Sequence, residues 1–200
     1  MKTKKTDRRS QRTQRLVGNA LVTLLLEKRY DHITIQDILS RADVGRATFY
    51  EHYFDKEDVL TSEIERVVDL LNQQVAVSRQ EVPVFLPSLG IFEHVYEHYP
   101  LYQALLPGKG LSTATQALQN YTRMQVAHGL RGTNDVSDDM IAATASSVAG
   151  AFIALLQWWL ETELVWSPER IDALFRALVL PGVQHLLQQE SERGESVDRG

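Results

Sequence analysis

Apolar residues recur at helical spacing along most of this chain, and no segment alternates as a half-buried strand would. Leu16, Val17, Ala20, Leu21, Leu24 and Leu25 form one stripe, and Leu60, Ile64, Val67, Val68, Leu71 and Val75 form another. No proline occurs before Pro83, so early helices escape the commonest breaker. The class expected is all-α. The 200 residues can bury a sizeable core without staples. Cysteine is absent, which excludes disulfides, thiolate catalysis and cysteine-based zinc sites.

Capping and turn residues set the expected limits of the helices. Tyr30-Asp31-His32 interrupts the first stripe. Thr34 is a good N-cap, and Asp37 three residues on fits a capping box. Ile35, Ile38, Leu39 and Ala42 share one face of the short helix that follows. Asp43-Val44-Gly45 breaks it, with Gly45 read as supplying backbone angles that other residues resist. A further short helix is expected from Arg46 to Tyr53. Asp55 then caps a long helix whose first turn carries Glu57 and Asp58, as the helix dipole favours. Pro83 and Pro87 bracket a loop. Residues 88–106 read as one or two helices broken near Tyr99-Pro100, and Pro107-Gly108-Lys109-Gly110 reads as a loop. Ser112–Leu130 is helical, Gly129–Asp135 is turn-rich, and 137–163 is a long helix. Ser167-Pro168-Glu169 starts the last helix, which Pro181-Gly182 kinks or restarts.

Charge is unevenly divided. The net charge of −5 taken alone argues against a nucleic-acid binder. Residues 1–60 nevertheless hold 12 basic and 9 acidic residues, and the remainder hold 9 and 17. A basic head thus precedes an acidic body. Lys2, Lys4, Lys5, Arg8, Arg9, Arg12 and Arg15 face only Asp7 in the first fifteen residues. That stretch reads as a disordered leader and also as an arm drawn to phosphates or the minor groove. No apolar run approaches the roughly 18–20 residues of a membrane span. The longest, Val148 to Leu156, contains Gly150 and several alanines. No secretory signal is visible. A cytoplasmic protein with no membrane partner is expected.

Residues 34–54 have helix-turn-helix spacing, in which a first helix braces against the DNA backbone and a second enters the major groove. Spacing alone leaves a plain packing hairpin equally open. The wording is more specific. Thr34-Ile35-Gln36-Asp37-Ile38, followed by Ala42-Asp43-Val44-Gly45-Arg46-Ala47-Thr48-Phe49-Tyr50-Glu51-His52-Tyr53-Phe54-Asp55-Lys56-Glu57-Asp58, closely resembles the signature of the tetracycline-repressor (TetR) family. The resemblance covers roughly residues 10–60. It implies an all-helical homodimer with an N-terminal three-helix DNA-binding domain and a larger ligand-sensing, dimerising domain. It also implies release from an operator by a small molecule.

Carried onto this chain, the resemblance gives Arg46, Ala47 and Thr48 to base edges or nearby phosphates, with Arg46 suited to guanine O6 and N7. Tyr50 and His52 match phosphate-contacting positions, as does Lys56 at the start of the long helix. Thr34 and Gln36 look like further backbone contacts. Phe49 and Tyr53 should pack inward on Leu24, Leu25 and Leu39. Glu51 is read as pointing to solvent or to a basic neighbour rather than to cytosine. The expected organisation is a basic leader (1–9), a DNA-binding domain (10–56), a helical sensing and dimerising domain (57–189) and a frayed tail (190–200).

The body offers candidates of lower specificity. In the resembled family the last two long helices form a four-helix bundle with their partners. Ile141, Val148, Phe152, Leu155, Trp159, Ile171, Leu174, Phe175 and Leu178 are the interface candidates, interleaved with small residues such as Ala142, Ala145 and Gly150. Gln157-Trp158-Trp159-Leu160-Glu161 resembles the C-terminal domain of the dihydroxyacetone-kinase-regulator subgroup. Phe92, Tyr96, Tyr99, Tyr102, Tyr121, Met124, His128, Phe152 and Leu156 could line a ligand pocket, and each also reads as an ordinary core residue. Glu93-His94 and Glu97-His98 put two histidines at i and i+4, a metal-compatible spacing. No full ligand set accompanies them, so a solvated face is favoured and no metal or cofactor is expected. No nucleophile elbow, P-loop or dinucleotide fingerprint occurs, so no enzyme is expected. The expected function is a sequence-specific regulator, a repressor released from a near-palindromic DNA operator by a small-molecule effector. The alternative is a DNA-bound structural or partner-recruiting protein with no inducer.

Overall fold

The computed structural model describes residues 3–75, 86–106, 108–131 and 136–197. Among them are nine α-helices, one 3₁₀ turn (Tyr30–His32) and no strand, as expected. The helices are α1 (Thr3–Leu25), α2 (Ile35–Ala42), α3 (Arg46–Tyr50), α4 (Lys56–Val75) and α5 (Ser88–Glu97), followed by α6 (Tyr99–Leu105), α7 (Lys109–Leu130), α8 (Asp138–Glu161) and α9 (Pro168–Val197). Lys2, Pro83, Pro107, most of the 129–135 connection and the last three residues of the expected tail lie outside the described residues, as do the side chains of Lys4, Lys5 and Val75. The chain divides into two compact units, Met1–Val67 with His98–Ala117, and Val68–Glu97 with Leu118–Gly200.

The first unit is built on the inward face of α1. Val17, Ala20, Leu21, Leu24 and Leu25 are buried against Ile38, Leu39, Phe49, Tyr53 and Leu60. Leu16 is 38% exposed. It sits one helical step off the stripe centred on Val17, Leu21 and Leu24, so the expected stripe loses its first member. Gly18 is set against α4: a Cβ there would stand 1.8 Å from a carboxylate oxygen of Glu63. Glu63 is buried and ion-paired with Arg66 at 2.6 Å. The residues read as a leader belong to α1 from Thr3 onward. No proline or glycine interrupts the chain before Gly18, and lysine, arginine and glutamine are good helix formers.

Segment 98–117 joins this unit because Leu105 and Ala114 enter its core. The contact is close. Gly108 has φ +143°, and a Cβ on it would lie 2.0 Å from Asp31 Oδ2. At Gly110 a Cβ would meet the Tyr30 ring at 2.9 Å. The missing side chain lets the first turn of α7 lie on that buried ring. Lys109 and Gly110 are therefore helical rather than part of the loop expected there.

The second unit centres on aromatic rings. Phe92 of α5 lies 5.2 Å from Phe152 and 5.4 Å from Trp159, both of α8, and Phe152 lies 5.2 Å from Phe175 of α9. Trp159 Nε1 donates to the Trp166 carbonyl at 2.9 Å. The buried Ser88 hydroxyl donates to Asp172. Burial pushes the Asp172 carboxyl up, while that hydrogen bond and Arg176 pull it down. Helix α8 is long and apolar enough to cross a membrane by length and composition. Contiguous-run reading missed this because Thr144, Ser146, Ser147 and Gln157 interrupt its apolar residues. Here one of its faces, including Ile141, Ala145, Val148, Phe152 and Leu156, is buried in the unit's core. Helix α9 continues through Pro181 to Val197. No restart follows the proline, and the tail expected to fray from residue 190 is helical. Val183, Leu186 and Leu187 beyond the proline border the same small void as Leu130 and Met140, which anchors that stretch.

Candidate nucleic-acid interface

Helix α2 starts with a complete capping box. Thr34 Oγ1 accepts from Asp37 N at 3.2 Å, and Asp37 Oδ2 accepts from Thr34 N at 2.8 Å. Lys28 pairs with the same carboxylate at 2.8 Å. The Lys28 and Thr34 hydrogen bonds hold the Asp37 carboxyl well below the usual carboxylate range. The Thr34 hydroxyl also donates to Asp37 at 2.7 Å. Its donor is therefore already used inside the fold, which counts against the phosphate role expected for it.

The turn into α3 is made by a residue other than the one expected. Asp43 takes the left-handed conformation at φ 51°, and its N–H caps the Leu39 carbonyl. Aspartate tolerates that region better than most residues. Gly45 is extended at φ −68°, and a Cβ on it would meet nothing within 4 Å. Helix α3 ends at Tyr50, three residues earlier than expected, and Glu51 closes it as an exposed C-cap.

The faces of α3 divide as expected. Phe49 is fully buried and Tyr53 nearly so. Arg46, Ala47 and Tyr50 are exposed, with Thr48 and His52 half-buried. Gln36 on α2 accepts from Arg46 Nη2 at 3.3 Å and donates to Ser40 at 3.3 Å. It thus joins the two helices at the exposed side. Phe54 is 88% exposed. The sequence reading gave it no role, since an aromatic between Tyr53 and Asp55 carries no sign of its orientation.

Lys56 differs from the expectation. Its Nζ donates to the carbonyls of Tyr30 at 2.9 Å and Ile33 at 2.8 Å, and it lies 4.4 Å from the centre of the Tyr30 ring. The ammonium ties α4 to the chain entering α2, so its first duty is inside the fold. Three further cations near α2 are also engaged: Lys28 with Asp37, Arg41 with both oxygens of Glu27, and Arg29 with the Leu106 carbonyl. By contrast Arg8, Arg9, Arg12 and Arg15 are exposed on α1. No ion pair to any of them occurs among the described residues.

In the second unit three of the expected pocket residues are core. Phe92, Phe152 and Leu156 are buried in the aromatic cluster. Tyr96 stacks on Trp159 at 6.5 Å and is half-exposed. The Tyr121 hydroxyl donates to Asp69 and accepts from Asn72 at 2.7 Å. Tyr99 and Tyr102 belong to the first unit, where Tyr102 packs on the core and burial pushes its phenol up. Of the expected pocket residues, Met124 and His128 line a cleft of about 640 Å³ between α7 and α8. The expected dimer residues divide by burial. Ile141, Val148, Phe152, Trp159, Ile171 and Phe175 are buried within the chain itself. Leu155 and Leu174 are half-buried, and Leu178 is 70% exposed. The paired histidines do not share a helix: α5 ends at Glu97, and His98 is the N-cap of α6. Among the described residues no three histidine, aspartate or glutamate side chains cluster as a metal site.

Comparisons with known proteins agree with this geometry. Residues 88–180 match the family TetR_C_8, described as a transcriptional regulator C-terminal region. Over 66 residues the chain is 44% identical to an uncharacterized HTH-type transcriptional regulator, YxbF, of Bacillus subtilis, a match covering 32% of this chain and 17% of that protein. A TetR transcriptional regulator of Streptococcus agalactiae has a solved structure with TM-score 0.57 and 26% identity, covering 88% of this chain and 97% of that one. The dihydroxyacetone kinase operon activator DhaS shares the fold at TM-score 0.51 and 18% identity, over 84% and 96% of the two chains.

Proposed function

We propose that this chain is a regulator of the TetR family, a homodimeric repressor which a small molecule releases from a near-palindromic DNA operator. The observation that carries the reading is the α2–α3 pair. Its scaffold is satisfied internally, while Arg46, Ala47 and Tyr50 stand exposed on α3. Helix α3 enters the major groove, and Arg46, held by Gln36, reads guanine O6 and N7. Tyr50 and His52 contact phosphates beside it. Lys56 and Thr34 hold the geometry instead of contributing the contacts first assigned to them.

Dimerisation is supported by the outward face of α8. Ala143, Ser147, Ala151, Ala154 and Trp158 are exposed at helical spacing. Gly150 of α8 and Gly182 of α9 face open space, where a Cβ would meet nothing within 4 Å. A glycine inside a helix costs about 0.5–1 kcal/mol relative to alanine, and the chain's own packing requires neither. Close approach of a second copy gives both a reason. Two-fold symmetry then sets the α3 helices about 34–36 Å apart, one turn of DNA.

A second reading has its own support. Phe92, Phe152 and Leu156 fill the place where an effector cavity was expected, which favours a regulator without a small-molecule inducer. The cleft along α7 and α8 supports the first reading. Selection from random duplexes at moderate salt tests the DNA-binding function. Enrichment of a two-fold symmetric site is expected, and the absence of any preferred sequence overturns the proposal.

A further inference from the structure

We propose that the α7–α8 cleft is a binding site for small organic anions, compounds with a carboxylate or similar head on a compact apolar body. The inference rests on the ligand-responsive reading and names the effector's class. The cleft's volume of about 640 Å³ lies within the roughly 300–1,000 Å³ of ligand pockets.

Its two walls differ in chemistry. Arg123 and His128 line it from α7 and Arg131 from just past its end, whereas Ile141, Ala142 and Ala145 line it from α8. No carboxylate is among its lining residues, although acids outnumber bases 17 to 9 beyond residue 60. Arg131 Nε lies 4.0 Å from Asp138 Oδ1, with both side chains largely exposed. Such a pair is worth little and leaves the guanidinium able to turn to a ligand. Arg131, whose N–H still donates to the Ala127 carbonyl, stands eight positions after Arg123, about 12 Å at helical rise. An anionic head can therefore pair with guanidinium at either end while the body lies on the alanine wall. The small side chains of Ala142 and Ala145 keep that wall open. A neutral ligand would gain no pairing from the cations, and a cation would be repelled.

Calorimetric titration of the full chain tests the site. The probes are octanoate and 4-hydroxybenzoate, with octanamide and 4-hydroxybenzamide as neutral counterparts of the same shape. Saturable binding of at least one anion is expected, about tenfold or more tighter than its amide. Arg123→Gln combined with Arg131→Gln should weaken the anion by about tenfold or more and leave the amide unchanged. Ala142→Trp, at an exposed position, should abolish binding by filling the cleft. Neither anion binding at up to about 10 mM, a range that includes weak millimolar ligands, overturns the site. So do equal affinities for acid and amide, or an unchanged affinity in both variants. A parallel titration of the operator-bound protein separates the two readings. Binding without release from DNA keeps the site and removes its effector role, whereas release that survives both variants removes the site.

Discussion

Lys56 satisfies two main-chain carbonyls that stand 26 and 23 residues before it. Replacing it by methionine keeps the aliphatic stem and removes the charge. The partly buried oxygens of Tyr30 and Ile33 then lose their donor, at a cost of about 1–3 kcal/mol. Urea denaturation should show that loss, while the fraction still folded keeps its preference among DNA sequences. Arg46→Ala should do the opposite. Its side chain is exposed with one internal partner, so stability should move by no more than about 0.5 kcal/mol. Discrimination at one base pair per half-site should fall by about 1–3 kcal/mol, measured by competition between duplexes. If Lys56→Met relaxes specificity as Arg46→Ala does, the assignment of roles is wrong. Little in the sequence marks this difference. A basic residue at the start of a helix suits a phosphate or a pair of carbonyls equally well, and only the folded path of residues 30–33 decides between them.

The same limit recurs among the elements. The α2–α3 pair was readable because its determinants are local: Thr34 and Asp37 cap across three residues, and the inward positions follow from helical period. The packing of 98–117 on the first unit was not readable, because it depends on glycines meeting a segment some eighty residues away. Gly110→Ala would press a methyl group into the buried Tyr30 ring at 2.9 Å. Overpacking of that kind costs about 1–3 kcal/mol, and thermal denaturation should register it. Gly45→Ala is the matched control: its φ is −68° and its surroundings are open, so stability should stay within about 0.5 kcal/mol. For the aromatic residues of α5 and α8 the sequence left two readings open, for a different reason. Composition says that Phe92 and Phe152 are apolar, but ring-to-ring closure and a lined cavity have the same composition. The outward face of α8 carries the dimer proposal, and Ala154→Arg tests it. An exposed alanine tolerates arginine in the isolated chain, so helix content should be unchanged. Sedimentation should show a shift from dimer to monomer, with weaker operator binding. A dimer of unchanged stability would place the interface elsewhere.

For the molecule as a whole, the uneven charge narrows to one row of side chains. The excess of positive charge in the first sixty residues does not lie on α2 and α3, where most cations have partners. It lies on α1, where Arg8, Arg12 and Arg15 follow one another at four- and three-residue spacing on one helix face, with Arg9 beside them. An extended arm could follow a minor groove about 6 Å wide, whereas a helix about 10–12 Å across cannot enter it. The arginines should therefore reach phosphates flanking the operator, extending the footprint without adding base readout. Each phosphate neutralised contributes about 0.9 to the slope of log affinity against log salt. Changing Arg8, Arg12 and Arg15 together to glutamine should reduce that slope by about 2.7 per subunit. The ratio of operator to random-sequence affinity should stay nearly constant, because the lost contacts are blind to sequence. Filter binding at a series of salt concentrations measures both quantities. An unchanged slope would mean that α1 stands clear of the DNA, and a collapsed ratio would mean that it reads bases.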